Sequence, residues 1–241
     1  MHSVSGAQKN LIQESAGSTL RNHYDTTSRV GKRITQVCKN TRITIIMENF
    51  GGHNNRGHVD PSSLNFFKTE LNCKTLLDVG CGAGFNCDYA EKVHGYTATG
   101  LEADPNCKKV HDRIIMHDYE KDGAVKLNET FDLGWSVAVS EHIDASASDY
   151  YVETFTHCRW ILFTWCTPGY GGYHHVNEQP LEYWIPKFEK CGMYIDIEKS
   201  KLIKESNRLQ MVKHTDWSTA LRNKRKGFLS LWATVFENRS I

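Results

Sequence analysis

The sequence predicts an α/β fold: a Rossmann-like, doubly wound and mostly parallel sheet of seven strands, with an N-terminal helical extension. From residue 75 onward, short β-rich runs alternate with segments of helical length, as in βαβ units. The first run ends in a glycine-rich turn, and acidic residues follow the second and third runs. Ligands bind such sheets at the carboxyl ends of the strands, so we expect the functional residues there.

The seven predicted strands alternate with helices such as Phe85–Val93 and Tyr150–His157. In chain order the strands are Thr75–Val79, Tyr96–Leu101, Arg113–His117, Phe131–Val139, Arg159–Trp165, Met193–Ile197 and Leu231–Phe236. Residues 1–70 are predicted to form a helical extension or lid, because residues 1–42 are polar with few apolar positions. Pro61 at the first turn favours a helix that ends near Leu71. Residues 71–241 form the second predicted domain.

The composition excludes several classes of protein. Among 241 residues, 29 Lys and Arg oppose 28 Asp and Glu, so the net charge of +1 provides no general attraction to nucleic acids or anionic membranes. No apolar run approaches the roughly 18 residues of a membrane span. The first residues lack the pattern of a secretory signal, and the eight cysteines include no Cys-x-x-Cys pair. We therefore expect a cytoplasmic protein with reduced thiols.

The glycine-rich turn after the first strand has the spacing Gly-x-Gly-x-Gly, with Gly80, Gly82 and Gly84. A dinucleotide fingerprint would need its third glycine at Phe85. Asp78 precedes the turn, and a carboxylate there disfavours a pyrophosphate. It suits S-adenosylmethionine, which carries an ammonium and a sulfonium group.

Two further acids occupy matching positions after the next strands. Glu102 comes 22 residues after Gly80, close to the roughly 20 residues expected for an acid that accepts hydrogen bonds from ribose hydroxyls. Asp118 follows the third strand, where a carboxylate can meet an adenine amino group. The alternative is a plain strand-to-helix turn with unrelated surface acids.

With these elements in order, residues 74–238 resemble the class I S-adenosylmethionine-dependent methyltransferases. The resemblance implies that residues 71–241 are a methyltransferase domain, in which the turn holds the methionyl part, Glu102 the ribose and Asp118 the adenine. It assigns nine residues to the cofactor site: Asp78, Gly80, Cys81, Gly82, Gly84, Glu102, Ala103, Asp118 and Ser140.

Four residues after the fourth and fifth strands are the candidate catalytic groups: Glu141, His142, His174 and His175. Methyl transfer needs an aligned nucleophile and a base for its proton, and histidine titrates near neutrality. We expect loss of His175 to lower turnover far more than cofactor affinity. The alternative is that Glu141 and His142 only border the cofactor pocket and that the other two histidines belong to a surface loop.

The pair Glu141-His142 also resembles the Glu-x-x-Glu-His motif of ubiquinone-pathway O-methyltransferases and small-RNA 3′-terminal 2′-O-methyltransferases. In those proteins the motif holds a divalent metal. Here Ala138 occupies the position of the first glutamate, so one ligand is missing and no metal ligand is assigned. His174 or His175 could complete a nitrogen and oxygen site.

The segments 57–60, 132–137 and 174–177 resemble a little-characterised group of methyltransferases found in bacteriophages and other viruses. That resemblance implies no substrate. Five aromatic residues could stack on a sugar or a base: Trp135, Tyr170, Tyr173, Tyr183 and Trp184. The alternative is that they are core or rim residues.

Oxygen is the favoured methyl acceptor, because the chain lacks the Asn/Asp-Pro-Pro-Tyr/Trp run typical of amino methylation on DNA bases. The leading prediction is O-methylation of a small-molecule or saccharide hydroxyl. A second is RNA ribose 2′-O-methylation, because Glu198–Lys226 contains nine basic residues and three acids. The third is a catalytically silent protein that binds S-adenosylmethionine and regulates a partner.

Overall fold

The computed structural model describes residues 21–23, 33–38, 41–46, 56–206, 210–213 and 228–241. Contacts divide the chain into two units, Met1–Asn49 and Phe50–Ile241. In the first unit, strands β1 (Arg21–His23), β2 (Arg33–Cys38) and β3 (Thr41–Ile46) form an antiparallel sheet in the order β1-β2-β3.

The helical prediction for the extension is wrong over these three strands. Ile34, Thr35 and Val37 in β2, and most of Thr41–Ile46 in β3, are β-branched residues that favour extended backbone. Cys38 pairs with Thr41, so only two residues separate the strands, as in a hairpin. Whether residues 1–70 act as a separate domain or lid stays a prediction.

The second unit alternates strands and helices, as the sequence predicts from residue 75 onward. Its described elements are β4 (Arg56–Val59), α1 (Pro61–Thr69), β5 (Thr75–Val79), α2 (Phe85–His94), β6 (Thr97–Glu102), β7 (Ile114–Met116), α3 (Tyr119–Asp122), β8 (Phe131–Ser136), α4 (Ser148–Glu153), β9 (Cys158–Phe163), α5 (Leu181–Lys190), β10 (Met193–Asp196), α6 (Ile197–Ser206), β11 (Gln210–Lys213), α7 (Phe228–Trp232) and β12 (Thr234–Asn238).

The main sheet has seven strands in the order β10-β12-β9-β8-β5-β6-β7. All neighbouring pairs are parallel except those of β12, which is antiparallel to β9 and to β10. The strand order reverses between β5 and β8, which places a crevice outside their carboxyl ends. The predicted mostly parallel, doubly wound sheet is therefore confirmed.

Two strand boundaries differ from the prediction by three residues, and the others agree within two. The predicted last strand begins at Leu231, but Phe228–Trp232 is a helix and β12 starts at Thr234. The predicted fourth strand reaches Val139, whereas β8 ends at Ser136 and the next residues turn towards the site. Apolar runs at the ends of strands continue into buried turns, so hydrophobicity alone does not mark where pairing ends.

Side chains of the sheet alternate between two buried layers. Leu76 faces the layer that contains Leu64 and Phe67 of α1, while its neighbour Leu77 faces the layer with Tyr151 of α4 and Trp184 of α5. All six side chains are fully buried, which is typical of a sheet covered by helices on both faces. Within the described parts of the chain, we find no helix of the length and hydrophobicity that a membrane span requires.

Candidate active site

The turn between β5 and α2 consists of glycines in left-handed backbone conformation. Gly80, Gly82 and Gly84 have φ angles of 74°, 57° and 87°, a region that disfavours other residues. A Cβ on Gly80 would lie 2.5 Å from the side chain of Val139, in the segment that follows β8. The backbone of Gly80 therefore packs against Val139 beside the crevice between β5 and β8.

Glu102, at the end of β6, joins the second strand to this turn. Its side chain is 6% exposed, and Oε2 accepts a hydrogen bond from the amide of Gly82 at 2.7 Å. Oε1 accepts from the amides of Ala103 and Asp104, both at 2.9 Å. These bonds hold the carboxylate at the carboxyl end of the sheet. Cys81 turns back onto β6, where its Sγ would lie 2.5 Å from a Cβ on Gly100.

Asp78 is a second buried acid at the same place, 4% exposed and 3.7 Å from the thiol of Cys87. Its pKa is raised to about 7, mainly by burial; the charge of Glu102 acts in the same direction, and the nearby Asn86 and the thiol of Cys87 act against it. A carboxyl group with this pKa ionises readily when a cation binds beside it.

Asp118 follows β7, the neighbour of β6 in the sheet. It is buried and caps α3, since Oδ1 accepts from the amide of Glu120 at 3.0 Å, and Lys121 lies 3.5 Å from Oδ2. The three acids thus lie at the carboxyl ends of three adjacent parallel strands, as the sequence predicts.

This arrangement fits S-adenosylmethionine by its chemistry. The left-handed glycines form a tight turn at the carboxyl end of β5, and buried carboxylates beside it suit the ammonium group and hydroxyls of the cofactor. Asp78, Glu102 and Asp118 with the three glycines would hold it. That each of these residues contacts the cofactor stays a prediction.

The segment Ser140–His142 forms one turn of 3₁₀ helix after β8. Ser140 donates from Oγ to the carbonyl of Thr164 at 3.1 Å, which ties the segment to the end of β9. Glu141 is 1% exposed, and among the described residues its Oε2 has no hydrogen-bond partner. Burial raises the pKa of Glu141, although the nearby His175 acts to lower it.

The loop after β9 brings His175 to Glu141. The amides of Val176 and Asn177 donate to the carbonyl of Glu141 at 2.9 and 3.1 Å, and Nε2 of His175 lies 4.0 Å from Oε1 of Glu141. On the other side of the ring, Nδ1 lies 2.7 Å from Oε1 of Glu178. The imidazole of His175 therefore lies between two carboxylates, those of Glu178 and Glu141.

The other two histidines contribute in different ways. Nδ1 of His142 donates to the carbonyl oxygen of His174 at 2.9 Å, and the rings of His142 and His175 lie edge to face at 5.1 Å. His174 has a left-handed φ of 59°, and its own ring contacts Tyr173 at 4.6 Å. The structure thus groups Glu141, His142 and His175, and it joins His174 to them through its carbonyl. A catalytic role for each stays a prediction.

The same group can hold a metal ion. Glu141, His142 and His175 each offer a ligand atom, and these atoms lie within 4.8 Å of one another. Carboxylate and imidazole ligands suit several divalent transition metals. Ala138, at the position of the missing glutamate, has a left-handed φ of 57°. No metal is assigned to the site.

Two residues of this site are not among the predicted ones. Glu178 follows His175 by three positions, and in a loop this spacing predicts no particular contact. Gly172 packs so tightly on the imidazole of His175 that a Cβ would overlap the ring. The glycine run before the histidines is a signal of close packing, but it does not identify the partner.

The mostly parallel seven-stranded sheet has one antiparallel strand, a glycine turn after β5 and buried acids after the next strands, in the order that the sequence predicts for an S-adenosylmethionine-dependent methyltransferase. Residues 77–158 match the family model of a methyltransferase domain. The chain thus carries an S-adenosylmethionine-dependent methyltransferase domain, which confirms the predicted enzyme class.

Solved structures with this fold are distant in sequence. A sugar N-methyltransferase from Streptoalloteichus sp. is 12% identical with a TM-score of 0.50, over 74% of this chain and 87% of that one. A TehB-like S-adenosylmethionine-dependent methyltransferase from Corynebacterium glutamicum is 18% identical, with a TM-score of 0.43 over 69% and 80%. Magnesium protoporphyrin IX methyltransferase from Synechocystis, with bound S-adenosylhomocysteine, is 10% identical, with a TM-score of 0.47 over 73% and 79%. No curated protein matches the chain.

Proposed function

We propose that this protein methylates a hydroxyl oxygen of a small-molecule or saccharide acceptor, with His175 taking the hydroxyl proton. The observation that carries the proposal is the 2.7 Å contact between Nδ1 of His175 and the carboxylate of Glu178. A carboxylate accepts and does not donate, so the neutral imidazole has its proton on Nδ1 and its lone pair on Nε2. That nitrogen faces Glu141.

The space between Nε2 of His175 and Oε1 of Glu141 suits a hydroxyl group. The two atoms are 4.0 Å apart, so a hydroxyl that donates its proton to Nε2 at about 2.8 Å lies beside Oε1 as well. S-adenosylmethionine supplies the methyl group, and a C–O bond forms at the acceptor while the C–S bond breaks and leaves its electron pair on sulfur. The hydroxyl proton passes to Nε2 of His175, and Glu178 stabilises the resulting imidazolium.

Two exposed tyrosines beside His175 support a ring-shaped acceptor. Tyr170 and Tyr173 are 54% and 57% exposed, and the ring of Tyr170 is nearly parallel to that of His175, at 13° and 6.5 Å between centroids. Aromatic faces next to a base favour ring-shaped acceptors such as sugars. By contrast, Trp135 and Trp184 are core residues and do not support acceptor binding.

A metal-assisted reaction is a second candidate, favoured by the convergence of Glu141, His142 and His175. In that case Nε2 of His175 would bind the cation, which would lower the pKa of a hydroxyl bound to it. RNA ribose methylation stays a prediction, and most of the basic segment Glu198–Lys226 on which it depends lies outside the described residues. The viral-type grouping and the cytoplasmic location stay predictions.

The test is transfer of a labelled methyl group from S-adenosylmethionine to methyl glycosides, catechols, nucleosides and a short RNA, with chelator or with Mn²⁺. We expect labelling of a glycoside or catechol that persists in chelator and is lost in His175→Ala. Labelling that requires Mn²⁺ would favour the metal candidate, and labelling of RNA alone would favour the ribose candidate. Binding of S-adenosylhomocysteine without labelling of any acceptor would favour the silent regulatory protein.

A further inference from the structure

We propose that Glu178 is a positioning residue that fixes the tautomer and ring orientation of His175 and so aims its Nε2 lone pair at the acceptor. This inference rests on the proposed role of His175. The evidence for the inference is separate from the evidence for that role, because it comes from the contacts by which the loop after β9 holds one carboxylate and one imidazole together. Neither Glu178 nor the loop amides that bind it are part of the predicted site.

Glu178 is itself held by the loop. Its Oε2 accepts from the amide of Gly169 at 2.8 Å, and its Oε1 accepts from the amide of Gly171 at 2.7 Å. Gly169 and Gly171 have φ angles of 84° and 76°, and this left-handed backbone turns both amides towards the carboxylate. The third donor is Nδ1 of His175, so one carboxylate accepts three hydrogen bonds.

These three bonds fix the carboxylate of Glu178 beside Nδ1 of His175. A fixed, charged acceptor next to Nδ1 selects the tautomer with Nδ1 protonated. The second tautomer would place a lone pair against the carboxylate.

The ring of His175 has little freedom to turn away. Gly172 covers it on one side, because even a Cβ there would overlap the ring, and Sγ of Cys166 lies 3.8 Å from Nδ1. A flip about the Cβ–Cγ bond would break the bond to Glu178 and remove Nε2 from Glu141. The contact with Glu178 is therefore expected to hold Nε2 at 4.0 Å from Oε1 of Glu141.

Removing a charged group that orients His175 should change the tautomer of that histidine, whereas removing a purely structural residue should not. We would label histidine with ¹⁵N and record two-bond ¹H–¹⁵N NMR spectra of the wild type, Glu178→Gln and Glu178→Ala. His175→Gln would assign the resonance, and Glu182→Gln in α5, which is exposed and outside the site, is the matched control. The spectra need no acceptor, so they test the positioning even if the proposed reaction is wrong.

We expect His175 of the wild type and of Glu182→Gln to have its proton on Nδ1. In Glu178→Ala we expect a mixture of tautomers, with an intermediate shift in Glu178→Gln, whose amide can accept from His175 but not serve both loop amides. Turnover should fall about 100-fold in Glu178→Ala, while the Kd of S-adenosylhomocysteine changes less than twofold. An unchanged tautomer in Glu178→Ala, or a mixed tautomer in the wild type, would overturn the proposal. If Glu178→Ala does not fold, the spectrum of Glu178→Gln decides.

Discussion

Gly172 lies against the imidazole ring of His175, so closely that the only side chain compatible with this packing is a hydrogen atom. The contact places a loop glycine among the determinants of the site, although it offers no functional group. Its role is to leave room for the ring between the loop backbone and Glu178. The effect of this packing on the site can be measured with Gly172→Ala, which adds one methyl group.

The first prediction concerns Gly172→Ala. The new Cβ would push the imidazole out of its position, so turnover should fall at least about tenfold while the Kd of S-adenosylhomocysteine changes less than twofold. The matched control is Gly95→Ala, where a Cβ meets no atom within 4 Å but the left-handed φ of 64° costs about 1 kcal/mol. We expect that control to lower the melting temperature and leave turnover unchanged. The reverse pattern would contradict the packing described here.

The second prediction concerns His175→Ala, which removes the proposed base. Turnover should fall about 10²–10⁴-fold, because that is the usual contribution of a positioned acid or base. Affinity for S-adenosylhomocysteine, measured by calorimetry, should stay within about twofold. His157→Ala, at the opposite end of β9, is the control. Equal activity of the two variants would remove the histidine base from the mechanism.

The third prediction concerns Glu102, the buried acid that accepts hydrogen bonds from Gly82, Ala103 and Asp104. Glu102→Ala should weaken binding of S-adenosylhomocysteine at least about 100-fold, since it removes a charged acceptor and loosens the glycine turn. Glu129→Ala, in an exposed loop before β8, should bind like the wild type. Calorimetric titration of both variants checks this, and undiminished affinity of Glu102→Ala would place the cofactor elsewhere.

The fourth prediction follows from the raised pKa of Asp78. The pKa of the Asp78 carboxyl group is about 7 in the folded state and 3.8 in the unfolded state. Its contribution to the free energy of unfolding is therefore largest below pH 4. That contribution is lost as the pH rises to about 7, and the loss amounts to roughly 4 kcal/mol. Asp78→Asn should therefore be more stable than the wild type at pH 8 and similar to it near pH 4, without cofactor.

Urea denaturation of the two proteins at both pH values measures this difference. Asp88→Asn, an acid of α2 that pairs with Lys92, is the control and should show no such gain at pH 8. Bound S-adenosylmethionine should reverse the order, because its cationic groups stabilise the ionised carboxylate. A wild type that is more stable than Asp78→Asn at pH 8 without cofactor would show that Asp78 ionises at little cost.

The fifth prediction concerns the missing ligand at position 138. Ala138→Glu would add a carboxylate to Glu141, His142 and His175, so it should bind Mn²⁺ at least about tenfold more tightly than the wild type. The left-handed φ at this position adds strain, which Ala138→Gln shares without the new charge. Calorimetry with MnCl₂ compares the three proteins. Equal affinities would show that the cluster is not arranged around a cation.

The sequence predicted the sheet well and the extension poorly. Strand β5 and helix α2 were predicted within one residue, because continuous apolar runs next to glycines leave few alternatives. Strands β2 and β3 were missed because their β-branched residues lie in a segment that is mostly polar in sequence. In the site, Glu141 and His175 were predicted, but Glu178 was not, since its contact depends on the path of a loop.

The sequence by itself determined the class of fold and the common location of three acids, because alternating strands and helices place successive strand ends at one edge of the sheet. Spacing along the chain is enough to bring Asp78, Glu102 and Asp118 to that edge. Only the tertiary structure decided which histidine has a carboxylate on each side of its imidazole ring. The loop after β9 folds back through backbone hydrogen bonds to Glu141 and through the room that Gly172 leaves, and such contacts have no period in the sequence.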